Sequence, residues 1–269
     1  MPAAPTPDSA PDWRAAAGFC LDMDGVLYRG DEVIPGAVAF IDFLQSTERP
    51  FLLITNHACR PPAAVSAKLA GMGIHVPAKQ IYTSGEATGD WLAAQGATRV
   101  FVLGEAGLRE SIAARGITIA PTDVSHVVVG LERELRYEDL TTAYRLIAAG
   151  AIFVGTNPDL TYPIADGPAP EAGWLLAAMQ ALTEREPIIV GKPAAAMYEL
   201  AAARLGLPVH QLAMIGDRLD TDIAGAQAVG MAAILVLTGH ATRADAAAHP
   251  QPPTLIAPDL HTVLAGLTS

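Results

Sequence analysis

Cysteine is scarce. Cys20 and Cys59 are the only two in 269 residues, too few for a disulfide framework, and they read as reduced thiols of a cytoplasmic protein. Positive charge is scarce as well. Seventeen Lys and Arg stand against 28 Asp and Glu, a formal net charge of −11, which argues against a nucleic acid polymer or an anionic membrane surface as partner. It also means that any phosphorylated small molecule would need a local cationic patch or a metal ion. No apolar run approaches the ~20 residues that span a bilayer. The opening MPAAPTPDSAPDW lacks the basic start and apolar stretch of a signal peptide, and residues 1–14 are expected to be a disordered, Pro- and Ala-rich leader.

What is present is a rhythm. Short runs rich in Val, Ile, Leu and Phe (GFCLD, PFLLIT, RVFVLG, HVVVGL, AIFVGT, EPIIVG, LAMIGD, AAILVLTG) alternate with helix-like stretches, several of which stop at glycine. Runs apolar at every position suit strands buried on both faces, and βα alternation suits parallel sheets covered by helices. The runs differ in how they end. GFCLD, PFLLIT, EPIIVG and LAMIGD lead into compact polar clusters; the runs between residues 99 and 155 mostly do not. Ligands of open α/β sheets collect beyond the carboxyl ends of the strands. The polar-tipped strands are therefore expected to share one functional sheet, residues 15–85 and 187–269, with residues 86–186 inserted as a second α/β unit.

Four clusters carry chemistry. In DMDG, Asp22 ends its strand and Asp24, two residues on, returns to the same side, with Gly25 allowing a sharp turn. Two carboxylates at close range repel by about 4 kcal/mol in a protein-like dielectric. Held in different environments, they can serve as a nucleophile and a general acid/base; the plain alternative is a polar turn. In LLITNHA, Thr55 and Asn56 offer uncharged donors at a strand tip, suited to phosphate oxygens or to capping the next helix. His57 follows as a candidate substrate contact. In IVGKP, Lys192 brings one point charge to a strand end. In MIGDRLDTDIAGA, Asp217 lies too early to be a helix cap, whereas Asp220 and Asp222 fall in the first helical turn. Carboxylates at the tips of two strands are hard oxygen ligands suited to Mg²⁺, which would relieve their repulsion.

In that order, DMDGVL, LLITNHA, GKP and GDRLDTDIAGA resemble the four motifs of the haloacid dehalogenase superfamily, and VLYRGDEVIPGA resembles its flap after the first motif. The insertion and the stretch FVGTNPDLTYP (153–163) resemble the cap of its subfamily IIA, which includes 4-nitrophenylphosphatase-like, nucleotide and phosphoglycolate phosphatases. The resemblance covers essentially everything after the leader. It implies a Rossmann-like parallel-sheet core with an inserted α/β cap, and a Mg²⁺-dependent phosphatase of small phosphate monoesters. Asp22 would be the nucleophile and Asp24 the general acid/base. Thr55, Asn56 and Lys192 would hold the phosphoryl group. The ion would sit on the Asp22 side chain, the Asp24 backbone carbonyl and Asp217, with Asp222 outside the ligand set, orienting water or Lys192. Asn157, Asp159, Tyr162 and Glu171 of the cap, with His57, are candidates for contacting the leaving group, and a homodimer through the cap is implied. His57 and Cys59 depart from the small polar residues that many relatives carry there. Dehalogenases of the superfamily lack the second aspartate, so Asp24 favours phosphate substrates. A phosphotransferase or phosphomutase on the same core, or a non-catalytic metabolite-binding regulator, is the alternative.

Overall fold

The computed structural model describes residues 12–164 and 166–269. Six strands form one wholly parallel sheet, in the order Leu255–Ala257, Ala232–Val236, Leu212–Gly216, Gly18–Leu21, Phe51–Thr55, Ile81–Thr83. The chain starts at Gly18–Leu21 in the middle, builds outward to one side, and returns after residue 190 to build the other side. Strand order thus reverses beside Gly18–Leu21, the place where an open α/β sheet leaves a crevice at its carboxyl edge.

Alternation along the strands divides the core between two faces. Phe19, Leu21, Phe51, Leu53, Ala213, Ile215, Ile234 and Val236 share one face with Phe40, Ile41, Leu44, Leu69 and Val263 from the helices Ala37–Ser46, Pro62–Gly71 and Leu260–Thr268. Cys20, Leu52, Ile54, Met214, Ala233 and Leu235 point the other way, toward Met197, Tyr198 and Ala201 of the helix Ala195–Leu205. Both faces are covered, which explains why these strands are apolar at every position.

A second parallel sheet runs Ile188–Ile189, Ile152–Gly155, His126–Val129, Arg99–Leu103, Thr118–Ile119. Helices Tyr137–Ala148 and Ala172–Thr183 cover one face through Ala143, Ile147, Leu175, Leu176 and Met179. On the other face Val100, Val102, Val128 and Val154 continue the core of the first sheet, with Ala87 and Leu92 of the helix Ser84–Ala94 between them. That helix is capped by Thr83, whose Oγ1 accepts from Glu86 N at 3.1 Å. It ties the two sheets together: Glu86 pairs with Arg115 of the second unit and with Arg204 of the first.

Two sequence expectations need correcting. The polar cluster after EPIIVG predicts a strand of the functional sheet, but Ile188–Ile189 pairs with Ile152–Gly155 in the second sheet. The backbone keeps that company through Val190 N to Gly155 O at 3.1 Å and Gly191 N to Thr156 O at 2.8 Å, so the core resumes at about residue 190 rather than 187. Lys192 reaches the functional sheet from a connecting loop, not from a strand of that sheet. The expectation of a disordered leader over residues 1–14 also fails at its inner end. Residues 1–11 lie outside the described ones, but Asp12 caps a turn over Trp13–Ala15, and Trp13 is only 5% exposed, its ring lying where a Cβ on Gly266 would come within 2.6 Å. A large apolar ring beside an open glycine surface is worth burying. Among the described residues, no helix is long and apolar enough to cross a membrane.

Candidate active site

Asp22 leaves the end of Gly18–Leu21 with its N–H on Ile215 O at 2.9 Å, so its strand tip is pinned to that of Leu212–Gly216. The next strand tip carries Asp217. Between them the chain turns at Gly25, whose φ of +77° favours glycine and whose Cβ would lie 2.4 Å from Asp217 Oδ2. Gly239, after Ala232–Val236, is as tight: a Cβ there would be 2.0 Å from the same oxygen. Asp217 Oδ2 accepts from His240 N at 2.7 Å. Two missing side chains thus make the space in which Asp217 faces Asp22.

Asp22, Asp217 and Asp222 bring one carboxylate oxygen each to within 4.8 Å of one another. Among the described residues this is the one such cluster. The carboxylate of Asp24 is not part of it. Lys192 Nζ donates to Asp22 Oδ1 and, at 2.8 Å, to Asp222 Oδ1; Asp222 Oδ2 accepts from Arg218 N at 3.2 Å. Asp222 is fully buried, and Lys192 nearly so. Three carboxylates around one ammonium leave two negative charges uncompensated. Burial is the largest cause raising the Asp22 carboxyl well above the ordinary carboxylate range, and its acidic neighbours add to this against Lys192. Asp217 is pushed up to about 7, first by burial and then by Asp222. Buried hard oxygens short of positive charge, with open space made by glycines, fit a divalent ion such as Mg²⁺. Lys192 is held charged by the two carboxylates it bridges, its pKa raised despite burial.

Asp24 stands apart, half-buried, its carboxyl raised by burial against the pull of Lys68 and Arg29. Thr55 ends its strand, with Oγ1 accepting from His57 N at 3.1 Å. These groups open into a cavity of ≈ 1090 Å³, roofed by the hairpin Thr161–Ile164 and Gly167–Pro170 of the second unit. His57 Nδ1 lies 3.3 Å from Glu171 Oε2, and its ring centre is 5.5 Å from that of Tyr162, so three candidate leaving-group contacts meet on the cavity wall. Asp159 is there too, its carboxylate accepting from Asn56 Nδ2 at 2.7 Å and lying 3.5 Å from Arg218.

Asn157 is different. It is 0% exposed and absent from the cavity wall, its amide turned toward the Asn56 backbone, so it cannot touch a leaving group. Sequence reasoning also missed Arg218, which pairs with Asp159 and Asp220, and Gly239, whose only sequence signal is its place just after an apolar run.

A haloacid dehalogenase-like hydrolase family model matches residues 19–118, and a HAD-hydrolase-like model matches residues 189–263. An acid sugar phosphatase of Staphylococcus saprophyticus is 35% identical over 252 residues, 93% of this chain and 97% of that protein. The chain belongs to the haloacid dehalogenase-like hydrolases. Another member of the family, a dihydroxyacetone phosphatase of Corynebacterium glutamicum, is 35% identical over 88% of this chain and 86% of its own length. The crystal structure of a 4-nitrophenylphosphatase from Thermotoga maritima superposes with a TM-score of 0.90 at 33% identity, covering 95% of this chain and 98% of that one. This haloacid dehalogenase-like hydrolase is accordingly a phosphatase, with the Rossmann-like core and α/β cap described above.

Proposed function

We propose that the enzyme is a Mg²⁺-dependent phosphatase of small phosphate monoesters that works through an aspartyl phosphate on Asp22. The observation that carries this reading is the Lys192 ammonium bridging Asp22 and Asp222, with Asp217 closing the carboxylate cluster. An Asp22 oxygen forms a bond to phosphorus as the ester P–O bond breaks. Asp24 gives its proton to the departing alcohol, and burial raises its pKa in the direction that favours the protonated form. The same carboxylate then takes a proton from the water that hydrolyses the intermediate. Thr55 and Lys192 hold the transferring oxygens, Asn56 fixes Lys192, and Asp222 keeps the ammonium in place. The Asp22 side chain, the Asp24 backbone carbonyl and Asp217 would hold Mg²⁺, which when bound supplies the positive charge needed to accept a phosphate dianion among these acids.

The names of the relatives support sugar phosphates as the first substrates to try, followed by 4-nitrophenyl phosphate; nucleotides and phosphoglycolate join the panel on the motif resemblance alone. The second α/β unit acts as the cap. His57, Tyr162 and Glu171 face the leaving group, and Asp159 lies between it and the core. A homodimer through the cap and a cytoplasmic location complete the proposal. Its test is phosphate release from a panel of these esters with Mg²⁺ and with EDTA. Release that needs Mg²⁺ and disappears in Asp22→Asn is expected. Full turnover in EDTA or in Asp22→Asn would refute it, and phosphate appearing on an added sugar acceptor instead of in water would indicate a phosphotransferase.

A further inference from the structure

The Ile152–Gly155 strand of the cap leads into Thr156 and Asn157, where the second sheet meets the core. Every polar atom of the Asn157 amide is engaged. Nδ2 donates to Asn56 O at 2.8 Å and, more distantly, to Thr156 Oγ1 at 3.4 Å, while Oδ1 accepts from Asp159 N at 3.0 Å. Asn56 O receives a second donor, Ser84 Oγ, at 2.5 Å. The Asn56 side chain then clasps residue 192 on both sides. Its Oδ1 accepts from Lys192 N at 2.8 Å and its Nδ2 donates to Lys192 O at 2.9 Å. Gly191 is what lets these chains meet, since a Cβ there would stand 2.3 Å from Thr156 O and 2.8 Å from Asn56 Oδ1. An amide side chain is suited to this use because it offers a donor and an acceptor at a fixed spacing. Buried polar groups matched this fully define one arrangement and penalise others.

We propose that Asn157 is a positioning residue for the phosphoryl grip: by holding Asn56 O it sets the place of Asn56, and through Asn56 the place of Lys192 against Asp22. This rests on the roles given to Asp22 and Lys192 above. Asn157 belongs to the cap, whereas Asn56 and Lys192 belong to the core side of the site. The tie makes the grip depend on the cap being seated. It acts on the part of the reaction that every phosphate ester shares, and not on the alcohol that leaves.

Two variants separate this from a leaving-group contact and from a merely structural role. Asn157→Ser keeps an oxygen for Asp159 N but cannot reach Asn56 O. Asn157→Asp keeps the shape and that bond but replaces the donor with an acceptor. For each, kcat and KM are measured on 4-nitrophenyl phosphate, dihydroxyacetone phosphate and a hexose phosphate, together with inhibition by inorganic phosphate and the thermal midpoint. The expected result is a loss in kcat/KM of roughly 10- to 100-fold, the scale of a misplacement of about 1 Å, by the same factor on all three esters. Inhibition by phosphate weakens in parallel. A loss that differs by more than about tenfold between leaving groups marks a specificity contact and overturns the proposal. Unchanged kcat/KM in a folded variant overturns it too. If both variants unfold, Asn157 serves folding alone and the proposal falls. A wild-type enzyme without Mg²⁺-stimulated release would instead refute the proposed function, which the same assays detect before any variant is made.

Discussion

Gly239→Ala adds a single methyl group, yet the geometry makes it a severe change to one function. The new Cβ would stand 2.0 Å from Asp217 Oδ2 and 2.5 Å from its Cγ, where ordinary contact begins at 3.4 Å. One of the two must give by about 1.4 Å. The loop has little freedom to do so, because it is tied on both sides of Gly239: Thr238 Oγ1 donates to Gly25 O at 2.6 Å and Ala241 N to Asp217 O at 3.0 Å. Asp217 is therefore the group that is displaced, while Asp22, Lys192 and Asp222 keep their mutual bonds. A displacement of that size costs on the order of 100-fold when it moves a reacting or charge-bearing group. Overpacking adds a stability cost of about 1–3 kcal/mol. The expected outcome is a Mg²⁺ requirement shifted upward by one to two orders of magnitude, with most of the lost activity restored at high Mg²⁺. The assay is phosphate release as a function of Mg²⁺ concentration, alongside a thermal melt. An unchanged Mg²⁺ dependence in a folded Gly239→Ala enzyme would show that Asp217 does not hold the ion, and the metal assignment would fail.

Other perturbations test other parts of the structure. Asp222→Asn removes one of the two charges that orient Lys192 and sets an amide donor against either Lys192 Nζ or Arg218 N, so kcat should fall by about 10- to 100-fold and the thermal midpoint should drop, measured by steady-state kinetics and thermal melts. Trp13→Ala should lower the unfolding free energy by about 3 kcal/mol in urea titrations, whereas a residue in a disordered leader would change nothing. His126 is buried, with Nδ1 at 2.8 Å from Ser125 Oγ, its ring edge-on to Trp91, and no partner for Nε2 among the described residues; burial lowers its pKa. Its neutral form is the one the fold accepts. Below the unfolded value of about 6.5 the unfolded chain takes up a proton that the folded one refuses, so stability is complete above that pH and declines as pH falls toward the lower folded pKa. His126→Phe should flatten that decline in melts between neutral and mildly acidic pH; an unchanged slope would place its cause elsewhere.

Strand character, the order of the motifs and the identity of the charged groups at the strand tips were all legible along the chain, because each is written in a few adjacent residues. Period-two and unbroken apolar runs report burial on one face or both. An aspartate just past such a run reports a polar strand end. These local signals were enough to nominate Asp22, Asp24, Thr55, Lys192 and Asp217. They misassigned Ile188–Ile189, because a two-residue strand takes its sheet from the neighbour it pairs with and not from the polar cluster that follows it. They also missed Ile81–Thr83, a short edge strand whose IYT carries little pattern of its own.

What only the folded molecule decided is where side chains point once distant segments meet. Asn157 and Asp159 lie two residues apart in the same polar loop, yet one is sealed against Asn56 and the other lines the cavity. Asp220 and Asp222 fall in one acidic stretch, yet the first pairs with Arg218 at the surface and the second is buried under Lys192. His57 gains its meaning from Glu171, more than a hundred residues away. Adjacent residues of one sequence report the propensity and periodicity of the backbone, whereas the direction of a side chain is set by whichever layer packs against it. That layer arrives through contacts between remote parts of the chain, which local composition does not encode.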